Sequence, residues 1–171
     1  MKSLFAAAAA LALTVGPSAP AHALSCALYD VTDAYKAADK STDRHVIVVG
    51  TLTFDETQLP ETDWQRQLDT PPLTKIPAKI VGQALDKSGF TLAYSSALTL
   101  EVRCLGPWCA RAKSGDSYMA FINIDAATAT VQAAPCGAGL FGQPTQAQKS
   151  LVQACINNGP CDGASLVINN N

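Results

Sequence analysis

The chain has little with which to do chemistry. It carries two histidines, and His22 falls in an expected leader, so His45 is the sole candidate base of the remaining chain. A serine triad needs such a base beside an activated hydroxyl, and no serine stands in a Gly-x-Ser-x-Gly turn. No Cys-x-x-Cys pair is present, which removes a thioredoxin-like redox site. One histidine and oxidisable cysteines do not make a zinc site. The loop carboxylates Asp55, Glu56, Glu61 and Asp63 do not follow the spacing of an EF-hand. Glu101 and Asp116 are the one further carboxylate pair worth weighing, and charges at strand ends ordinarily face water. Neither a metal nor a cofactor is expected, and the sequence reads as non-enzymatic. Charge is sparse, at 15% of residues, and Lys and Arg are not clustered, which argues against nucleic acid as a partner. Beyond the first fifteen residues no apolar run approaches the length that spans a bilayer. There is no internal repeat and no composition shift to mark a domain boundary.

What is present is an export signal followed by six cysteines, at 26, 104, 109, 136, 155 and 161. Lys2 supplies a positive start, Leu4 to Val15 is a short apolar run, and Gly16, Pro17 and Pro20 break it. Ala21-His22-Ala23 is a small-x-small cleavage site, so residues 1–23 are expected to be removed and Leu24 to become the first residue. A second cut, after Ser25, would leave Cys26 at the N-terminus. His22-Ala23-Leu24-Ser25 is a poor lipobox, which argues against a lipid anchor on Cys26. An even set of cysteines behind such a signal reads as a disulfide framework in a periplasmic or secreted protein, because those compartments let thiols oxidise. Losing Lys2 leaves 11 basic and 14 acidic residues. The remaining ~148 residues suit one domain, expected over 24–168, with 169–171 as a frayed tail.

Along the chain, Thr32 is a candidate cap for a short helix over Asp33 to Asp39. His45 to Phe54 is the strongest strand signal, β-branched and nearly continuous, with Gly50 suggesting a bulge or a bend. Asp55 to Thr74 reads as a long polar loop. Strands are expected at Ile76–Leu85, Phe90–Tyr94, Leu98–Cys104, Tyr118–Ile124 and Thr128–Ala133, with a hairpin turn at Lys87-Ser88-Gly89. Thr145-Gln146-Ala147-Gln148 has the form of a capping box, and Leu151, Val152 and Cys155 give the helix behind it an apolar face. Short strands followed by a terminal helix argue for a small antiparallel barrel or sandwich. The most distinctive peptide is Cys104-Leu105-Gly106-Pro107-Trp108-Cys109. A local bridge there is geometrically reasonable, and it presents Trp108 either as a recognition residue or as a lid on the end of the fold.

In this order the elements resemble the netrin-like domain shared with tissue inhibitors of metalloproteinases. The resemblance rests on an early cysteine, the strand Val46-Ile47-Val48-Val49-Gly50-Thr51-Leu52, and the late strand Gly115-Asp116-Ser117-Tyr118-Met119-Ala120-Phe121. It continues with a strand running into Cys136 and a helix from Thr145-Gln146-Ala147-Gln148 to Cys155. It covers most of residues 26 to 155. It implies a five- to six-stranded antiparallel OB-type Greek-key barrel with a short N-terminal and a C-terminal helix. It also implies a bridge between Cys26 and Cys136, leaving Cys104–Cys109 and Cys155–Cys161 as local pairs. In that family's inhibitors a free N-terminal cysteine chelates the protease zinc through its amine and carbonyl, and the equivalent position is Cys26. The chain departs from that pattern in having no Cys-x-Cys start. The expected function is therefore an exported binding module for an extracellular or periplasmic protein or a surface glycan, with metalloprotease inhibition through Cys26 as the alternative. The candidate binding residues are Cys26 and Trp108.

Overall fold

The computed structural model describes residues 26–163. The expected leader and tail lie outside these residues. In chain order the elements are α1 (Val31–Lys40), β1 (His45–Phe54), β2 (Leu73–Asp86), β3 (Gly89–Leu105), β4 (Trp108–Cys109), β5 (Ser117–Asn123), β6 (Thr130–Ala133), β7 (Leu140–Gly142) and α2 (Gln146–Ile156). Two single 3-10 turns, Glu56–Gln58 and Gln67–Asp69, interrupt the loop between β1 and β2.

Local chemistry accounts for both helices. Asp30, not Thr32, caps α1. Its Oδ1 accepts from the backbone N–H of Thr32 at 2.7 Å and of Asp33 at 3.2 Å, while Asp33 Oδ2 accepts from Asp30 N at 3.1 Å. An aspartate thus fills the role expected of a hydroxyl, and Thr32 is free to be buried in the first turn. In α2 the capping box forms as the sequence indicates, between Thr145 and Gln148.

Seven strands form a mixed sheet, not the purely antiparallel one expected. β1 pairs antiparallel with β2 along one edge and with β5 along the other. β2 pairs with β3, β3 with β6, and β6 with β5, so the pairings form a ring of five strands. A ring with an odd number of members cannot alternate direction all the way round. One pairing must be parallel, and it is β3–β6. Two further corrections concern strand extent. Phe90–Tyr94 and Leu98–Cys104 are parts of one strand, because pairing with β2 carries Ser95, Ser96 and Ala97 through in register with Val81, Ile80 and Lys79. The unexpected β7 lies in a glycine-rich stretch and exists through its pairing with Tyr118–Ala120.

The core has two parts. Val48, Leu52, Ile76, Ile80, Leu98, Leu100, Val102, Ala120, Ile122 and Val131 fill the space between the strands. Ile47, Met119 and Phe121, on the opposite face of β1 and β5, are covered by Val31 and Ala34 of α1 and by Leu151 and Val152 of α2. β1 and β5 are therefore buried on both faces, which explains why Val46 to Val49 and Tyr118 to Ile122 are continuous apolar runs.

At the middle of β1, Gly50 lies opposite Gly82 of β2. A Cβ on Gly50 would stand 2.5 Å from the carbonyl oxygen of Val81, and one on Gly82 would collide with the carbonyl of Val49. The glycine pair lets the two backbones cross closely here. Gly82→Ala is expected to cost about 1–3 kcal/mol, measured by urea unfolding, because backbone must move to admit the methyl group. A neutral effect would show that the close crossing is not needed.

Three disulfides close the structure: Cys26–Cys136, Cys104–Cys109 and Cys155–Cys161. The first links residues 110 apart and the third links residues 6 apart. On the chain-entropy relation these loops restrict the unfolded chain by about 5 and about 2 kcal/mol. Replacing Cys26 and Cys136 together by Ser should lower the melting temperature more than replacing Cys155 and Cys161 together. Equal losses would mean that the long loop is already constrained in the unfolded chain.

Candidate functional site

The two tryptophans of the chain meet. Trp64 and Trp108 pack edge to face with ring centroids 5.7 Å apart. They line a groove of about 780 Å³ whose other walls include Leu59, Pro60, Pro107, Arg111 and Pro135. Trp108 is half-buried, whereas Trp64 keeps 59% of its surface open to solvent. An exposed indole held against a second aromatic is an apolar contact surface with little side-chain entropy left to lose on binding.

Each wall is placed by identifiable bonds. β3 ends in a two-pair ladder, Cys104 opposite Cys109 and Leu105 opposite Trp108, closed by Gly106 at φ +58° and by the local disulfide. Gly106 supplies the left-handed backbone that this tight reversal needs. Trp64 stands in a turn built by Asp63. The Asp63 carboxylate accepts from Arg66 Nε at 2.9 Å and from the backbone N–H of Gln65 at 2.8 Å. The Arg66 bond, followed by the Gln65 bond, holds the Asp63 carboxyl below the ordinary aspartate range. Gln67 Nε2 then donates to the carbonyl of Trp64 at 3.1 Å. The start of the same loop is tied to the turn before β5, where Glu56 Oε1 accepts from Ser114 N at 2.6 Å. Asp55 is occupied too, accepting from Thr57 and from Gln58 Nε2, so three of the four loop carboxylates that the sequence offers as weak calcium ligands, Asp55, Glu56 and Asp63, are engaged within the loop or its neighbour turn. Among the described residues no group of three His, Cys, Asp or Glu side chains converges to hold a metal.

Cys26 borders the same region. It is exposed, its Sγ lies 3.9 Å from the carbonyl oxygen of Pro135, and its bridge partner is the next residue, Cys136. Pro135 lines the tryptophan groove. Both sequence candidates thus adjoin one short segment: Cys26 is bonded to Cys136, and Trp108 shares a groove with Ala134 and Pro135. Tyr29 fixes the chain that leads from Cys26 into α1. Its ring lies so close to Gly137 that a Cβ there would stand 2.6 Å from Tyr29 Cδ1, and it stacks on Phe141 at 6.4 Å.

The remaining sequence candidates are not brought together. Glu101 is buried rather than solvated, at 9% exposure, where it accepts from Gln132 Nε2 at 3.2 Å and pairs with Lys75 at 3.2 Å. Asp116 lies in the turn before β5, its carbonyl accepting from Leu52 N. His45 has its Nδ1 2.9 Å from the carbonyl oxygen of Asp43, and among the described residues no serine hydroxyl or carboxylate hydrogen-bonds to its ring. It does line a second cavity, of about 400 Å³, between α1 and the β5–β6 side. Trp64, Arg111 and Pro135 are among the groove residues that the sequence reading missed. The available signal was Trp64 itself, a large aromatic alone in a polar, proline-bounded loop.

No helix among the described residues is long and apolar enough to cross a membrane. Comparison of the chain with protein-family models, with curated proteins and with solved structures finds no match.

Proposed function

We propose that this chain is an exported, non-enzymatic binding module on a netrin-like, OB-type barrel, and that it grips an apolar segment of an extracellular or periplasmic protein in the Trp64–Trp108 groove. The observation that carries the reading is the exposed Trp64 packed on half-buried Trp108, fixed by an aspartate-built turn on one side and a disulfide on the other. Three features support the barrel type: the five-strand ring, the helices flanking β1 and β5, and the Cys26–Cys136 bridge. Three disulfides fit an oxidising compartment.

Because both tryptophans stand in the groove, tryptophan emission excited selectively, and corrected for that of the added protein, reports on this surface. Exported proteins of the host, fractionated and titrated in, should include one that shifts the emission of the wild type. Trp64→Ala should weaken that complex by about thirtyfold or more, the scale of an aromatic hot spot, while leaving the melting temperature nearly unchanged. A ligand indifferent to Trp64→Ala would remove the groove from the binding surface. A surface glycan giving the same tryptophan-dependent response would keep the groove and replace the ligand class. A hydrolase activity abolished by His45→Ala, with the disulfides intact, would overturn the non-enzymatic reading.

A second reading is favoured by the position of Cys26 beside the groove. If processing exposes it as the N-terminus, its α-amino group, with a pKa near neutrality, and its carbonyl could chelate the zinc of a metalloprotease, with the groove holding neighbouring protein. Unreduced mass spectrometry of protein exported by its own host decides the first condition. The expected mature chain begins at Leu24, which leaves no chelating amine at Cys26. A chain beginning at Cys26 that inhibits a zinc endopeptidase, and loses inhibition when one residue is added ahead of Cys26, would put the second reading first.

A further inference from the structure

The tryptophan groove holds a single charge. Arg111 is the one Asp, Glu, Lys or Arg in its wall, and it stands exposed between Ala110 and Ala112. Its guanidinium makes neither an ion pair nor a hydrogen bond among the described residues, whereas Arg44 is paired with Asp125 at 2.6 Å and Arg66 with Asp63 at 2.9 Å. The adjoining loop brings it no carboxylate. Asp63 is held by Arg66 and the Gln65 N–H, Glu56 accepts from Ser114 N, and the exposed Glu61 is not part of the wall. The rest of the wall has little to hydrogen-bond with. Apart from the two indole N–H groups, Thr62 is its one neutral hydrogen-bonding side chain, and Pro60, Pro107 and Pro135 carry no backbone N–H.

Resting on the reading that this groove grips an apolar segment of another protein, we infer that Arg111 selects a segment with an Asp or Glu side chain beside its apolar residues. A guanidinium whose donors are unengaged by its own chain is matched by the two oxygens of one carboxylate. The pair strengthens as the ligand covers it and excludes water. The attraction is local, because the chain after the expected leader carries 11 basic and 14 acidic residues and as a whole repels an acidic ligand. A basic residue at the same place on the ligand would face the guanidinium with no carboxylate to relieve it. One guanidinium does not make a track for a phosphate backbone, which needs several cations in line. An acidic sugar fits the charge but not the wall, because its hydroxyls would be covered with few partners.

Random twelve-residue peptides displayed on phage, selected on the disulfide-intact protein and counter-selected on Trp64→Ala, test this. Peptides selected by the wild type should combine apolar residues with Asp or Glu. Arg111→Gln should lose the acidic enrichment and keep the apolar one, and Arg111→Glu should enrich Lys or Arg instead. In a selected peptide made synthetically, replacing the acidic residue by its amide should raise Kd about fivefold or more on the wild type and leave it unchanged on Arg111→Gln. Arg103→Gln, exposed one position before Cys104 and outside the groove wall, should behave as the wild type. Tryptophan-dependent peptides without acidic residues would overturn this inference and leave the groove reading standing. No tryptophan-dependent peptide at all would overturn both. An acidic preference that persists in Arg111→Gln, or is lost equally in Arg103→Gln, overturns the role of Arg111. Displacement of the peptide by a galacturonic acid oligomer that needs Arg111 would overturn the assignment to a protein segment.

Discussion

Strand β1 uses every surface it has. Its two edges are paired, with β2 over Val48–Phe54 and with β5 over His45–Thr51, and both of its faces are buried over its first half. At the middle of β1 its backbone also runs unusually close to that of β2. The Gly50–Gly82 crossing permits the close approach at that point. Through this one strand the ring of five is completed, the helices gain a face to cover, and the sheet is forced to include a parallel pair. The hydrophobic runs of β1 and β5 are the same constraint written in side chains.

The ring and the disulfides divide the work of holding the chain. The ring builds a core from buried aliphatic side chains. The Cys26–Cys136 bridge adds no core of its own, but it fixes the first described residue to the segment that leads from β6 to β7. That segment also carries Pro135, a wall of the tryptophan groove. The covalent tie therefore joins stability to the binding surface: the same link that restricts the unfolded chain sets where Cys26 stands relative to Trp108. The Cys104–Cys109 bridge does likewise on a smaller scale, since it tightens the turn that presents Trp108.

Much of the architecture is local and was therefore legible in the sequence. The β-branched run at 45–54, the hairpin at Lys87-Ser88-Gly89 and the capping box at Thr145–Gln148 each depend on neighbours a few residues away. The cap of α1 was misread by two residues for the same kind of reason, since Asp30 and Thr32 are both good caps and only the geometry chooses between them. The paths of Ser95–Ala97 and of β7 were not legible, because weak strand formers there are held by partners far along the chain. The parallel β3–β6 pair was hidden too: it comes from closing an odd ring, and no residue announces that closure. The candidate site divides in the same way. Composition marked Trp108 and Cys26 as unusual, but the meeting of Trp64, Trp108 and Pro135 joins segments about 27 to 71 residues apart, and only packing brings such segments together. The sequence alone determined which segments can be strands and helices, and which cysteines were there to be joined. The tertiary structure decided which edges stay open, which carboxylates are consumed by turns, and which aromatic rings face the same groove, because each of those outcomes is set by contacts between residues that the chain itself keeps apart.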